Sequence, residues 1–204
     1  MLRIKNRNLP HGKVFNLEMT GNEILFLQGP NGAGKTLLLK SVANLIPGKF
    51  EEFIFNGKNL NEWDYSIFRS LVMYVATVSY FPTDGTSEDF LHIPFTLGIH
   101  AGRKPVFDTD FWLEKWKLKG LPLRQLSSGQ KQSLGILRAL SLDPKLLLFD
   151  EPTSHLDASR TSEIETLILE WQKQSQGSVI IVGHDLDQPR RLGGEIMKIE
   201  ETWV

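Results

Sequence analysis

Residues 23–46 read "EILFLQGPNGAGKTLLLKSVANLI", and this stretch decides the fold. "EILFLQG" (23–29) is a short apolar run closed by glycine, the pattern of a buried strand. "KTLLLKSVANLI" (35–46) carries apolar residues at helical spacing, and "PG" (47–48) stops it. Between them, "GPNGAGKT" (29–36) matches G-x-x-x-x-G-K-[ST], the phosphate-loop pattern. Gly29, Gly32 and Gly34 let successive backbone N–H groups turn inward as an anion nest, with Pro30, Asn31 and Ala33 filling the loop. The helix that starts near Lys35 aims the positive end of its dipole at the same point. Lys35 would reach the β- and γ-phosphates of a nucleotide, and Thr36 would offer its hydroxyl to Mg2+. At average residue frequencies a chain of 204 residues matches this pattern by accident roughly 1 % of the time, so a Gly-rich turn of no consequence is a poor account.

Outward from the loop, strands and helices alternate. "EEFIFNGKNL" (51–60) reads as a strand with an Asn-Gly turn, and "RSLVMYVATV" (69–78) as another strand. Residues 79 to about 125 change character, with Pro82, Pro94, Pro105 and Pro122 and an amphipathic "DTDFWLEKWKL" (108–118), and read as a mostly helical insert. "GQKQSLGILRALSL" (129–142) is a helix broken by "DP" (143–144). "KLLLFDEP" (145–152) and "SVIIVGHD" (178–185) are continuous apolar runs of the kind buried on both faces of a parallel sheet. "RTSEIETLILEWQKQ" (160–174) is an amphipathic helix between them, and "EIMKIEETWV" (195–204) would be a final edge strand. The expectation is one α/β domain over residues 1–204: a P-loop NTPase core with a mainly parallel sheet, a small N-terminal β element and a helical subdomain inserted at about 79–142.

"KLLLFDEP" delivers Asp150 and Glu151 to a strand end, where ligands of open α/β sheets bind. Asp150 there is the second half of a phosphate-loop site and would hold Mg2+, usually through water. Glu151 points differently, and would accept a proton from the attacking water or orient it. "SVIIVGHD" brings His184 to the same sheet edge, suited to sensing a γ-phosphate. A solvated turn for the carboxylates and an ordinary exposed histidine are the alternatives.

Lys and Arg number 23 and Asp and Glu 24, a net charge of −1, which does not suggest a nucleic-acid binder. Cysteine is absent, excluding disulfides, thiol catalysis and thiolate metal sites. "MLRIKNRNLP" does not read as a signal peptide, and apolar runs such as "ILFL" (24–27) fall far short of the ~20 residues that span a bilayer. A soluble, cytosolic chain is expected, any membrane association coming through a partner.

The set of motifs and their order resembles the ATP-binding cassette (ABC) ATPase family. The matching segments are "GPNGAGKT" (29–36), "LSSGQ" (126–130), "LLLFDEP" (146–152), "SHLD" (154–157) and "VGHD" (182–185), covering essentially the whole chain. Many NTPases share the phosphate loop and acidic strand; "LSSGQ", a short helix before "LLLFDEPTSHLD", is the specific part. The resemblance implies two such domains packed head to tail, as a homodimer or pseudo-dimer, with ATP between them. The phosphate loop, Asp150, Glu151 and His184 of one copy would face Ser127, Ser128, Gly129 and Gln130 of the other. Ser127 and Gly129 would contact the γ-phosphate in trans, Asp157 would communicate across the interface, and Glu151 would polarise the hydrolytic water. Ser127 at a helix N-terminus and Gly129 beside it suit close approach of an anion.

Two departures stand out. The family's signature usually has glycine where this chain has Ser128, a small change. It also usually has a glutamine where "MYVATVSYFP" (73–82) has Thr77, and no glutamine lies between Gln28 and Gln125. Either Thr77 plays a weaker version of that residue, or coupling to the partner differs, or the position is a plain loop. An aromatic that would stack on adenine is missing near Asn8–Leu9; His11 and Phe15 are the nearest, and Phe15 reads better as core of "VFNLEM". Tyr80, Phe81, Phe90, Phe95, Phe107, Phe111, Trp112 and Trp116 crowd the insert. Trp112 and Trp116 share a helical face and pack a core or, as the resemblance implies for this region, border a groove for a membrane partner.

The expected protein is therefore the ATP-hydrolysing, Mg2+-dependent subunit of an ABC transporter, peripheral on the cytoplasmic face of the membrane below membrane-spanning subunits. A single cassette with about twenty residues after His184 and a short insert favours transport over repair or translation relatives. The rival is a non-transport cassette acting as scaffold or assembly ATPase on soluble partners, and co-purification separates the two. A degenerate cassette that binds ATP but barely hydrolyses it is a third reading, which Glu151 and His184 argue against and Thr77 leaves open.

Overall fold

The structure is a computed structural model and describes residues 1–77 and 81–199, the side chain of His11 apart. Its strands are β1 (Leu2–Asn8), β2 (Val14–Met19), β3 (Ile24–Gln28), β4 (Glu52–Phe55), β5 (Lys58–Asn59), β6 (Val72–Val75), β7 (Leu146–Asp150), β8 (Ser178–Val182) and β9 (Glu195–Lys198). Its α-helices are α1 (Lys35–Val42), α2 (Tyr65–Leu71), α3 (Ser87–Thr96), α4 (Thr109–Lys115), α5 (Ser128–Ser141), α6 (Ala158–Ser175) and α7 (Gln188–Leu192).

Five strands form a parallel sheet in the order β6-β7-β8-β3-β9. Every residue of β7 and β8 is buried, because helices cover both faces, and that is why these strands are apolar throughout. Side chains alternate along each strand and sort into two cores. Leu147, Phe149, Val179 and Ile181 pack with α3, α4, α5 and α6. Leu146, Leu148, Ile180 and Val182 pack on the other face with Leu38 and Leu39 of α1 and with the second sheet. That second sheet is antiparallel, in the order β2-β1-β4-β5, and is the expected N-terminal β element. Its β4–β5 turn is the Asn-Gly pair, with Asn56 and Gly57 both at positive φ (49° and 76°), the geometry a tight hairpin needs.

Arg7 ties the two layers together. The residue is 1 % exposed, no salt bridge joins it to a carboxylate among the described residues, and its guanidinium donates to Ser41 Oγ and to the backbone oxygens of Ile46 and Gly48. Ser41 lies in the last turn of α1 and the two carbonyls follow its end, where a cation suits the helix dipole.

One expectation changes and two are narrowed. The strand expected over 69–78 begins only at Val72. Asp64 accepts hydrogen bonds from the N–H groups of Ser66 and Ile67 and so starts α2, which runs through Leu71. Of the final strand expected at 195–204, Glu195–Lys198 pairs at the sheet edge with β3, while 200–204 lie outside the described residues. The tryptophans of the insert are core: Trp112 and Trp116 are 6 % and 3 % exposed, and Trp116 donates to Glu163 of α6 at 2.9 Å. Tyr80 lies outside the described residues.

Candidate nucleotide site

The phosphate loop leaves β3 at Gly29 and enters α1 at Lys35. Gly32 (φ 79°) and Gly34 (φ 98°) hold the left-handed conformations that turn N–H groups inward. A side chain at Gly29 would strike the backbone oxygen of Ile199 at 2.6 Å, so the loop passes too close to the chain after β9 for anything larger. Lys35 folds back over the loop, and its Nζ donates to the carbonyls of Gly29 (2.7 Å) and Pro30 (2.9 Å).

Strand alternation explains what meets it. Leu146, Leu148 and Asp150 share the face of β7 that packs on α1. Asp150 therefore ends beneath Thr36 in the first turn of α1, and Thr36 Oγ1 donates to its carboxylate at 2.9 Å. Asp150 is 6 % exposed. Tyr74 of β6 donates from its hydroxyl to Asp150 Oδ2 at 2.9 Å, and burial, reinforced by that carboxylate, pushes its phenol pKa well above the usual range. Thr77 Oγ1 donates to the backbone oxygen of Asp150 at 2.7 Å.

Glu151 points elsewhere because its backbone is left-handed (φ 52°), a conformation uncommon outside glycine. Its N–H is held by Val182 O (2.7 Å), and its carbonyl accepts from Gln132 Nε2 of α5 (2.8 Å). The carboxylate is thereby turned to His184, whose Nε2 lies 3.1 Å from Glu151 Oε1. Behind His184, Arg191 of α7 grips Glu165 of α6 through two hydrogen bonds and reaches Asp185 at 2.6 Å, holding the Asp185 carboxyl below its usual pKa. Asn31, Gly32, Gly34, Lys35, Thr36, Glu151 and His184 line one cavity of about 300 Å³.

The implied Mg2+ fits the donors present. Thr36 and Asp150 offer a hydroxyl and a carboxylate side by side, the oxygen ligands a hard cation takes. Among the described residues no group of three or more His, Asp or Glu is placed to hold a metal ion by itself.

"LSSGQ" is not in this cavity. Ser127, Ser128, Gly129 and Gln130 line a separate one with His155, Leu156, Asp157 and Arg160. Ser127 caps α5 in a reciprocal box: its Oγ accepts from Gln130 N (3.3 Å), and Gln130 Oε1 accepts from Ser127 N (2.9 Å). Asp157 caps α6 by accepting from Arg160 N at 2.8 Å. Gly129 packs against the turn after Glu151, and a Cβ there would lie 2.7 Å from His155 O.

Sequence reasoning missed Tyr74, Gln132 and the Arg191–Glu165–Asp185 cluster. The signal for Tyr74 was strand parity, since Val72 and Tyr74 of β6 fall on the same face as Leu146, Leu148 and Asp150 of β7. Phe15, weighed as an adenine stacker, is 2 % exposed inside the core, and the His11 side chain lies outside what is described.

A family model described as ABC transporter matches residues 13–154. The phosphate import ATP-binding protein PstB of Aeropyrum pernix is 33 % identical over 193 residues, covering 87 % of this chain and 76 % of that protein. The osmoprotectant import ATP-binding protein OsmV of Salmonella typhimurium is 32 % identical over 187 residues, covering 89 % of this chain; the chain spans about half, 49 %, of that relative's length. Among solved structures, CbiO1 from Clostridium perfringens, part of the ABC transporter complex CbiONQ, superposes with a TM-score of 0.76 at 25 % identity, covering 98 % of this chain and 84 % of that one. A dimeric ATP-binding cassette in a post-hydrolysis state with ADP and Pi has the same fold, with a TM-score of 0.77 at 21 % identity, covering 98 % of this chain and 95 % of that one.

Proposed function

The chain belongs to the ABC transporter family, and from that premise we propose that it is the subunit that binds and hydrolyses ATP to power movement of a substrate across a membrane. One observation carries the mechanism. The phosphate loop, Asp150, Glu151 and His184 meet at one sheet edge, while "LSSGQ" faces a different cavity of the same chain. A hydrolytic site lacking its signature and a signature lacking a site are complementary halves, so two copies pack head to tail with ATP between them.

Within one half, the loop N–H groups and Lys35 bind the triphosphate, Lys35 exchanging its carbonyl partners for phosphate oxygens. Thr36 and Asp150 would hold Mg2+, which when bound shields charge on the β- and γ-phosphate oxygens. Glu151 accepts the proton of the attacking water, and His184, already against its carboxylate, orients it and meets the γ-phosphate. The second copy brings Ser127, Gly129 and the N-terminus of α5 onto that phosphate, and Asp157 beside them reads the partner's phosphate loop.

A membrane-spanning partner docks on the groove between β6 and α5. Leu45, Arg69, Met73, Phe90 and Arg138 line it, with Arg138 stacked 4.3 Å from the Phe90 ring centre. Ile67 of α2, before the insert, and Leu97 after α3, within it, are exposed. No helix among the described residues is long and apolar enough to cross a membrane; in this reading the chain reaches the bilayer through that partner, on its cytoplasmic side.

The test is Glu151→Gln at saturating Mg-ATP. It removes the proton acceptor and lowers turnover about 10²- to 10⁴-fold, and the ATP-bound dimer accumulates and is read by size-exclusion chromatography with light scattering. A variant that turns over normally, or stays monomeric, overturns the sandwich reading.

A further inference from the structure

Two hydroxyls converge on the Asp150 carboxylate. Thr36 belongs to the phosphate-loop pattern; Tyr74 stands three residues before Thr77, in the Tyr-Val-x-Gln context of the expected glutamine, and its reading as a motif residue gives it no role at the cation site. Its place follows from the sheet. β6 pairs in parallel with β7, with Tyr74 opposite Leu148, and both point to the α1 face. Asp150 is the next residue of β7 on that face, one pleat further toward the strand end. A leucine or valine at Tyr74 would stop short; a phenol spans the pleat and sets its hydroxyl 2.9 Å from Asp150 Oδ2. The Lys40 ammonium of α1 lies over the ring, 5.9 Å from its centre, and Tyr74 is among the residues that line the groove between β6 and α5.

Thr77, three residues on, takes the other half of the task. Its hydroxyl reaches the backbone oxygen of Asp150 and not the carboxylate. The carboxylate is thus held by a side chain inside the strand, and the backbone behind it by a side chain beyond the strand.

We propose that Tyr74 is a positioning residue for the cation site: its hydroxyl fixes Oδ2 of Asp150, so that the remaining lone pairs of the carboxylate stay aimed past Thr36 at the phosphate loop. A carboxylate has about four lone-pair sites, and one strong donor decides how its plane is turned. This inference rests on the reading of Asp150 as the metal carboxylate.

The probe is Mn2+ with ADP on the full chain, followed by electron paramagnetic resonance. Tyr74→Phe keeps the ring and its packing and lowers Mn2+ affinity about tenfold, the low end of what loss of an outer partner of a metal ligand costs. In steady state the same variant raises the Mg2+ concentration needed for half-maximal turnover, and saturating Mg2+ restores most of kcat, which a general loss of structure would not allow. Thr77→Val moves Mn2+ affinity less than Tyr74→Phe does, because it frees only the backbone. Asp150→Asn separates the two claims. If it loses Mn2+ and Tyr74→Phe binds Mn2+ as tightly as the parent chain or more tightly, the tyrosine inference is wrong and the site stands. If Asp150→Asn retains Mn2+, the reading of Asp150 itself is wrong.

Discussion

The cavity at the phosphate loop and the cavity at "LSSGQ" differ in what their side chains are tied to. In the first, distant elements are knotted together: Thr36 of α1 to Asp150 of β7, and Glu151 to His184 beyond β8. In the second, the capping side chains serve the turns they sit in, Ser127 and Gln130 capping α5 and Asp157 capping α6, and Arg160 reaches out, over the Trp116 ring. The first cavity sets a carboxylate against an imidazole; among the described residues the second shows no such pair, and offers two helix N-termini and a glycine. Chemistry needs groups from separate parts of the chain at fixed distances, whereas receiving a phosphate needs only oriented donors. The two cavities are therefore unlike halves, and each should fail in its own way.

Breaking the first half should have the largest effect. Lys35→Ala removes the cation of the phosphate loop and should cut turnover by at least about 100-fold together with ATP affinity, measured by phosphate release and equilibrium nucleotide binding. Unchanged turnover would sink the phosphate-loop assignment. Gly129→Ala strikes the second half. Its methyl group would press on His155 O, shifting the turn that carries Asp157. Turnover should fall about tenfold or more, from an overpacking cost of about 1–3 kcal/mol, with ATP affinity of the isolated monomer retained. Equal loss of both would erase the distinction between the halves.

Smaller changes sharpen it. Ser127→Ala removes one side of the capping box and should cost about 1 kcal/mol of stability, read as a lower melting temperature, besides weakening dimerisation in Glu151→Gln. Thr77→Val removes one neutral hydrogen bond to Asp150 O and should cost about 0.5–1.5 kcal/mol. It should change basal turnover least of the four; a loss matching Lys35→Ala would make Thr77 part of the chemistry.

Legibility in the sequence followed range. The strand–loop–helix that opens at residue 23, the apolar strands β7 and β8 and the hairpin at Asn56–Gly57 rest on local pattern and turn chemistry, and the structure has them where the residues put them, except that α1 ends at Val42, ahead of the left-handed Asn44, and not at 46. The start of β6 was misplaced because apolar periodicity does not register the Asp64 cap, which keeps residues 65–71 helical. Trp112 and Trp116 looked alike as core or as docking surface, and only the packing of the helices into one core, with Trp116 bonded to Glu163 of α6, buried them.

The sequence by itself determined the anion nest, the carboxylates at a strand end and the family, since each depends on residue types at fixed short spacing. Tertiary structure alone decided which side chains meet. Asp150 receives Tyr74 because two strands pair in one register, and Glu151 meets His184 because a single left-handed residue redirects its carboxylate. "LSSGQ" stands apart from the loop it resembles in purpose because α5 lies with α6 on the far side of the sheet from α1. Such contacts depend on register, parity and layer, which are set by the burial of the whole sheet and not by any short run of residues.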